Sequence, residues 1–243
     1  MATRHATTPA RTATTPAVAP GHQVATGWVR ATALGGLAFF GLLMVFATLT
    51  SNSPAANDTR NEFYAYVASN HDRLQWAAVV YAWAMPAALL FVTGLFAALR
   101  RAEGGRARLA VAALAGGVLA AAATLIGALV LGTVATRFLD LGPAGTRVLW
   151  TAWQLSFGAI LAGQVLMIGS TAAVGWSGRL FPRWFVLASI VLTLLSAAGV
   201  LALGFTSAGV QTAAVVTVLL NAVWSVLVSL HLMRHPELAA EPS

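Results

Sequence analysis

The dominant pattern along the chain is a series of long apolar stretches separated by short segments that carry arginine. Five stretches contain no Asp, Glu or Arg, and each is longer than the about 20 residues that a helix needs to cross a bilayer core. The stretch between Arg183 and Arg234 is long enough for two helices, and residues 204–209 (GFTSAG) inside it are typical of a turn. The pattern therefore predicts six spans, at about 29–50, 75–99, 109–134, 148–174, 184–205 and 210–232.

These stretches favour helices over a membrane β-barrel. Backbone N–H and C=O groups find no partners in lipid, so only helices and closed barrels span a bilayer. Barrel strands alternate apolar and polar side chains over about ten residues, whereas the stretches here are continuously apolar. The chain is 58% hydrophobic and 9% charged, against about 25% charged residues in soluble domains. We therefore expect an all-α polytopic transmembrane bundle of six helices.

The distribution of charge predicts the orientation of the bundle. All 14 basic residues are arginine, and basic residues concentrate in the cytoplasmic loops of membrane proteins. With the N- and C-termini cytoplasmic, ten arginines lie inside and four outside, so the inner face carries the net charge of +7. Anionic lipid head groups attract such a face, and we expect no nucleic-acid partner. The Arg-only, Ala-rich usage indicates a GC-rich genome, and hence a multi-pass protein of the bacterial cytoplasmic membrane.

The ends of the chain differ from its apolar middle. Residues 1–27 contain the string ATTPA at 6–10 and again at 13–17, with almost no large apolar side chain. Such a composition cannot form a packed core. We expect a disordered cytoplasmic tail at 1–27, a six-helix transmembrane domain at 28–234 and a short cytoplasmic tail at 235–243. A signal peptide is the alternative at the N-terminus, but the late, full-length first apolar stretch favours an uncleaved span.

Uncharged polar side chains are the candidates for binding a ligand inside the membrane. No Asp, Glu or Arg lies at mid-depth in a predicted span, which disfavours a proton-coupled transporter or pump. One hypothesis is a polar site between the last three spans. The alternative is that the same groups form hydrogen bonds between helices. The candidate ligand-binding residues are Gln154, Gln164, Asn221 and Ser225.

The sequence offers no strong catalytic or metal-binding motif. There is no cysteine. The first outer loop holds Asp58, Glu62, His71 and Asp72. Their spacing differs from the H-E-x-x-H pattern of zinc enzymes. The segment 175–178 (GWSG) resembles a serine-hydrolase motif, but it lies in a loop and not at a strand-to-helix turn. We therefore expect no catalytic residue, no metal and no cofactor.

Small residues mark the third predicted span. Glycine and alanine recur there at spacings that place several of them on one helix face, including Gly116, Ala120 and Gly127. Such residues allow helix backbones to approach closely. The third span is therefore expected to lie at the centre of the bundle or at a contact between two copies.

Several short motifs carry a resemblance to a known family. They are the turn 178–184 (GRLFPRW), the entry to the first span at 30–35 (RATALG), the long polar first outer loop, and residues 221–224 (NAVW). Over about 28–234 the chain resembles an uncharacterised, domain-of-unknown-function family of six-span bacterial integral membrane proteins. The resemblance implies a six-span layout and no enzyme class.

These observations favour a non-enzymatic membrane protein whose bundle binds a protein partner or a lipid-like ligand. One alternative is a permease or transporter component for a neutral or hydrophobic solute. A second alternative is a membrane-embedded enzyme that acts on a lipid or isoprenoid through its outer loop. The expected partners are the lipid bilayer and either a second copy of the chain or another membrane protein.

Overall fold

The computed structural model describes residues 20–54, 58–177, 180–201 and 208–235, and this part of the chain is helical without any strand. Five helices follow one another: α1 Pro20–Leu49, α2 Arg60–Ala102, α3 Arg108–Ser177, α4 Arg183–Leu201 and α5 Ala208–Arg234. All five are long and apolar enough to cross a membrane. The prediction of an all-α protein with several membrane-length helices is confirmed.

The helix count differs from the predicted six because α3 contains both the third and the fourth predicted span. Its 70 residues are interrupted at Gly142, whose φ of 63° and ψ of −179° are not helical. A positive φ is accessible to glycine because it has no Cβ. Pro143 follows, and proline suits the first turn of a helix because its missing N–H has no partner there anyway. Gly142 therefore separates a first half of α3 from a second half.

The two halves of α3 fold back on each other. An unbroken helix of this length would extend about 105 Å and its ends would never meet. Instead, a Cβ added to Gly163 in the second half would lie 2.5 Å from the carbonyl oxygen of Gly116 and 2.6 Å from the backbone N of Ala120. The glycine-rich first half is therefore in direct backbone contact with the second half, as its small residues predict.

Helix α2 begins with a capping box. The Thr59 hydroxyl accepts a hydrogen bond from the Glu62 backbone N–H, and the Thr59 backbone N–H donates to Glu62 Oε2 at 2.5 Å. These two contacts with Thr59 hold the pKa of the Glu62 carboxyl below its ordinary value. The helix is then interrupted at Asn70, where the side-chain amide donates to the Tyr66 carbonyl at 2.9 Å. Such local side-chain bonds compete with the helical backbone pattern.

The end of α1 is held by Arg73 from α2. Its Nε donates to the Leu49 carbonyl at 2.6 Å, and its Nη2 donates to the Ser51 carbonyl at 2.6 Å. The last carbonyls of a helix lack intrahelical partners, and a cation there also opposes the negative end of the helix dipole. Arg73 therefore fixes the chain reversal between the first two helices.

The two predicted tails and the predicted turn at 204–209 all adjoin or overlap the ends of helices. Helix α1 begins at Pro20, so residues 20–27 of the predicted tail are helical, while residues 1–19 lie outside the described part of the chain. Of the predicted turn at 204–209, residues 208 and 209 are the first two of α5, and residues 204–207 lie outside the described part of the chain. The C-terminal tail from residue 236 onward is also outside the described residues.

Two apolar clusters form the core. The cluster at the Gly142 end of the bundle is rich in aromatic rings, among them Phe46, Phe63, Tyr81, Trp150 and Trp153. The cluster at the opposite end joins α2 and α3 to the last two helices through residues that include Phe91, Met167, Phe181, Phe185 and Trp224.

Candidate functional site

A buried hydrogen-bond network joins α3, α4 and α5. The side-chain amide of Asn221 on α5 donates to Gln164 Oε1 on α3 and also to Ser196 Oγ on α4, the latter at 3.0 Å. All three residues are buried. The interior of a membrane bundle provides no water to replace these partners, so the three side chains tie the three helices together.

A second interhelical bond lies along the same pair of helices. Trp224 on α5 donates its indole N–H to Ser189 Oγ on α4 at 2.8 Å, and the Ser189 hydroxyl donates to the Phe185 carbonyl at 2.9 Å. Only four described residues of α4 are buried, and two of them are Ser189 and Ser196. Helix α4 is therefore attached to α5 through two serine hydroxyls and the stacking of Phe185 on Trp224 at 5.9 Å, with most of its apolar surface facing outward.

The structure brings together two of the four sequence-predicted ligand-binding residues. Gln164 and Asn221 are hydrogen-bonded to each other, whereas the Ser225 hydroxyl donates to the Ala222 carbonyl of its own helix at 2.7 Å. Gln154 is half-buried on the second half of α3. The Asn221 Oδ1 atom is buried and has no hydrogen-bond partner among the described residues.

Three side chains in these bonds, those of Ser189, Ser196 and Trp224, were not among the predicted ligand-binding residues. Ser189 and Ser196 lie seven residues apart in the sequence, a spacing of about two helical turns that places them on one face. That spacing could have suggested a shared partner helix. Trp224 gives no comparable signal, because a tryptophan in an apolar stretch is equally compatible with a lipid-facing or a buried position.

An open groove of about 430 Å³ separates the second half of α3 from α4. It is lined by Gly169, Ala172, Ala173, Trp176, Ile190, Thr193 and Leu194. The one hydroxyl in this lining, on Thr193, donates to the Ser189 carbonyl at 2.8 Å. The groove is therefore apolar in character, and small residues on α3 create its depth.

The polar outer-loop residues are spread over the surface. The His71 ring lies 3.3 Å from the Asp72 carboxylate, and both side chains are substantially exposed. Glu62 belongs to the capping box at Thr59. Among the residues that the structure describes, no three His, Cys, Asp or Glu side chains come close enough to hold a metal ion.

Residues 175–177 of the segment that resembles a serine-hydrolase motif are the last residues of α3, and residue 178 lies outside the described part of the chain. The Ser177 hydroxyl is 3.3 Å from the Ala173 carbonyl and 3.2 Å from the Val174 carbonyl, both in its own helix. His231, at the same end of the bundle, places Nε2 2.9 Å from the Leu180 carbonyl oxygen. These contacts are those of helix-end polar groups.

Comparisons with protein-family models, curated proteins and solved structures find no match to this chain. The resemblance to a six-span bacterial family therefore stays a prediction that rests on short motifs.

Proposed function

We propose that the chain is a six-pass protein of a bacterial cytoplasmic membrane that binds a lipid-like molecule in the groove between α3 and α4 and does not catalyse a reaction. The observation that carries this proposal is the groove itself, because its lining is apolar and its single hydroxyl is already hydrogen-bonded. A site of this kind suits a molecule that is dissolved in the bilayer.

The affinity of such a groove for its ligand has to come from shape complementarity between the two. Lipid tails are as apolar as leucine, so burial of apolar surface gives little net gain inside a membrane. Close van der Waals contact is the remaining attraction. A rigid apolar molecule gains more from it than a flexible acyl chain, because less conformational freedom is lost on binding. We therefore expect a ring-containing or otherwise stiff lipid-like ligand.

The alternative of a permease gains little support from the polar residues. Gln164 and Asn221 would have to line a path for a solute, but they are bonded to each other and to Ser196. Opening such a path would break these bonds in an environment without water to replace them.

Filling the groove tests the proposal. Ala173 lines the groove and is exposed, so Ala173→Leu adds volume there without entering the core. Ala152, also exposed on the second half of α3, lies outside the lining, and Ala152→Leu is the matched control. Mass spectrometry of molecules extracted from protein purified in mild detergent should find a species that is retained by the control and lost in Ala173→Leu. Equal content in both variants would contradict the proposal.

The six-pass topology places the first outer loop on the periplasmic side. A reporter fused after Ser53 should then be periplasmic, and one fused after Gly104 cytoplasmic. The reverse result would contradict the orientation that the arginine distribution predicts.

A further inference from the structure

The break in α3 leaves a buried hydroxyl without its usual partner. Threonines elsewhere in α3 donate to the carbonyl four residues earlier, as Thr124 does to Ala120 and Thr133 to Leu129, both at 2.9 Å. For Thr146 that carbonyl belongs to Gly142, the residue at which the helix is interrupted. Thr146 is 0% exposed, and its Oγ1 has no hydrogen-bond partner among the described residues.

The indole N–H groups of Trp150 and Trp153, four and seven residues after Thr146, are also buried without a hydrogen-bond partner among the described residues. Trp150 is 0% exposed and Trp153 is 4% exposed. The two indole rings lie 4.9 Å apart. Thr146, Trp150 and Trp153 follow one another at spacings of four and three residues, which places them on one face of the helix.

The surroundings of these three side chains favour a negatively charged partner. The Arg147 guanidinium lies 3.9 Å from the centre of the Phe63 ring, and the same ring packs edge-on against Trp150 at 5.7 Å. The second half of α3 also begins here, and the positive end of a helix dipole favours a negative charge.

The polar groups that point to a ligand are almost all donors. An indole has an N–H and no acceptor, and a threonine hydroxyl can donate as well as accept. Two carboxylates already have other partners, since Asp140 lies 3.4 Å from Arg137 and Glu62 accepts from the Thr59 backbone. A molecule that satisfies Thr146, Trp150 and Trp153 must therefore supply acceptor oxygens.

We propose that the Gly142 end of the bundle binds the oxyanion head group of an acidic amphiphile, with Thr146, Trp150 and Trp153 as its hydrogen-bond donors. Thr146 lies within one helical turn of the surface, because Pro143 and Ala144 are exposed. The aromatic rings of Phe46, Phe63 and Tyr81 provide an apolar environment for the adjoining carbons. This site is separate from the groove between α3 and α4, so either can exist without the other.

A brominated fatty acid tests the site, because bromine quenches tryptophan fluorescence on contact. Titration into the full chain in an uncharged detergent should give saturable quenching. In Thr146→Val the dissociation constant should rise about tenfold, since a hydrogen bond to a charged group is lost. Thr133→Val is the matched control, because the Thr133 hydroxyl is exposed and already bonded to its own helix. Its affinity should equal that of the unaltered chain.

Two further variants separate loss of a hydrogen bond from misfolding, and competing ligands identify the head group. Trp150→Phe keeps an aromatic ring but removes the indole N–H and should also weaken binding, whereas Thr146→Ser keeps the hydroxyl and should bind normally. Competition by an alkyl phosphate as well as by the fatty acid indicates a general oxyanion site, and competition by the fatty acid alone indicates a carboxylate site. The proposal is overturned if quenching is not saturable, if the uncharged methyl ester competes equally, or if Thr146→Val binds as tightly as Thr133→Val.

Discussion

Replacing Gly163 by alanine should separate the two halves of α3. The added Cβ would lie 2.5 Å from the Gly116 carbonyl oxygen and 2.6 Å from the Ala120 backbone N, distances that real Cβ atoms essentially never show. Both neighbours are backbone atoms, so no side-chain rotation can relieve the contact. The helix halves must therefore move apart by about half an ångström or more.

The free-energy cost of this movement follows from the packing. Inserting one carbon into a closely packed interior costs about 1–3 kcal/mol in free energy of unfolding. Gln164 is the next residue along the chain, so the same displacement also strains its bond to Asn221. We expect Gly163→Ala to lose stability near the upper part of that range.

Unfolding by increasing mole fraction of sodium dodecyl sulfate in mixed micelles measures the effect. Gly41→Ala is the matched control, because a Cβ at Gly41 in α1 meets nothing within 4 Å. In a helix interior that change should be neutral or stabilising by up to about 1 kcal/mol. If Gly163→Ala proved as stable as Gly41→Ala, the two halves of α3 would not be in contact and the described fold would be wrong.

Two other substitutions test the polar contacts. Asn221→Leu should lower the free energy of unfolding by about 1–3 kcal/mol, because it leaves Gln164 and Ser196 buried without their partner. When Gln164→Leu is added, the double variant should lose less stability than the sum of the two single losses. Strictly additive losses would contradict the direct hydrogen bond between the two residues. In Thr59→Ala the pKa of Glu62, followed by carbon-13 NMR of its carboxyl, should rise toward its ordinary value, whereas an unchanged titration would refute the capping box. Because the folded pKa is lowered, the stabilisation from this box is present above the unfolded-state pKa and is lost as the pH falls through the folded-state value.

The membrane-length helices could be predicted because hydrocarbon imposes a minimum apolar length that is visible in the sequence. The number of separate helices was harder to predict. The break in α3 occupies the single residue Gly142, and helical geometry resumes at once with Pro143, so the third and fourth predicted spans appear as one interrupted helix. The sequence signal for the reversal was the short charged segment between Arg137 and Arg147.

The candidate sites were harder to predict than the helices, because they depend on contacts between residues that are far apart in the sequence. The spacing of polar residues singled out Gln164 and Asn221, but it could not distinguish a ligand site from the hydrogen bond that the two form with each other. The sequence also did not predict that the buried Thr146 hydroxyl would lack a hydrogen-bond partner among the described residues. This hydroxyl lacks a partner because of the backbone conformation of Gly142. The Gly142-Pro143 pair is typical of a turn, but it does not specify the dihedral angles that remove the carbonyl four residues before Thr146.

The proposed six-pass topology requires α3 to cross the membrane twice and to reverse at Gly142. The natural chain has no cysteine, so single-cysteine variants report on one position each. Gly105, Ala144 and Ser177 are all exposed and lie before, at and after the reversal. In intact cells, a membrane-impermeant maleimide should label Ala144→Cys and should label Gly105→Cys and Ser177→Cys only after the cells are opened. Labelling of all three positions from the same side of the membrane would contradict that topology.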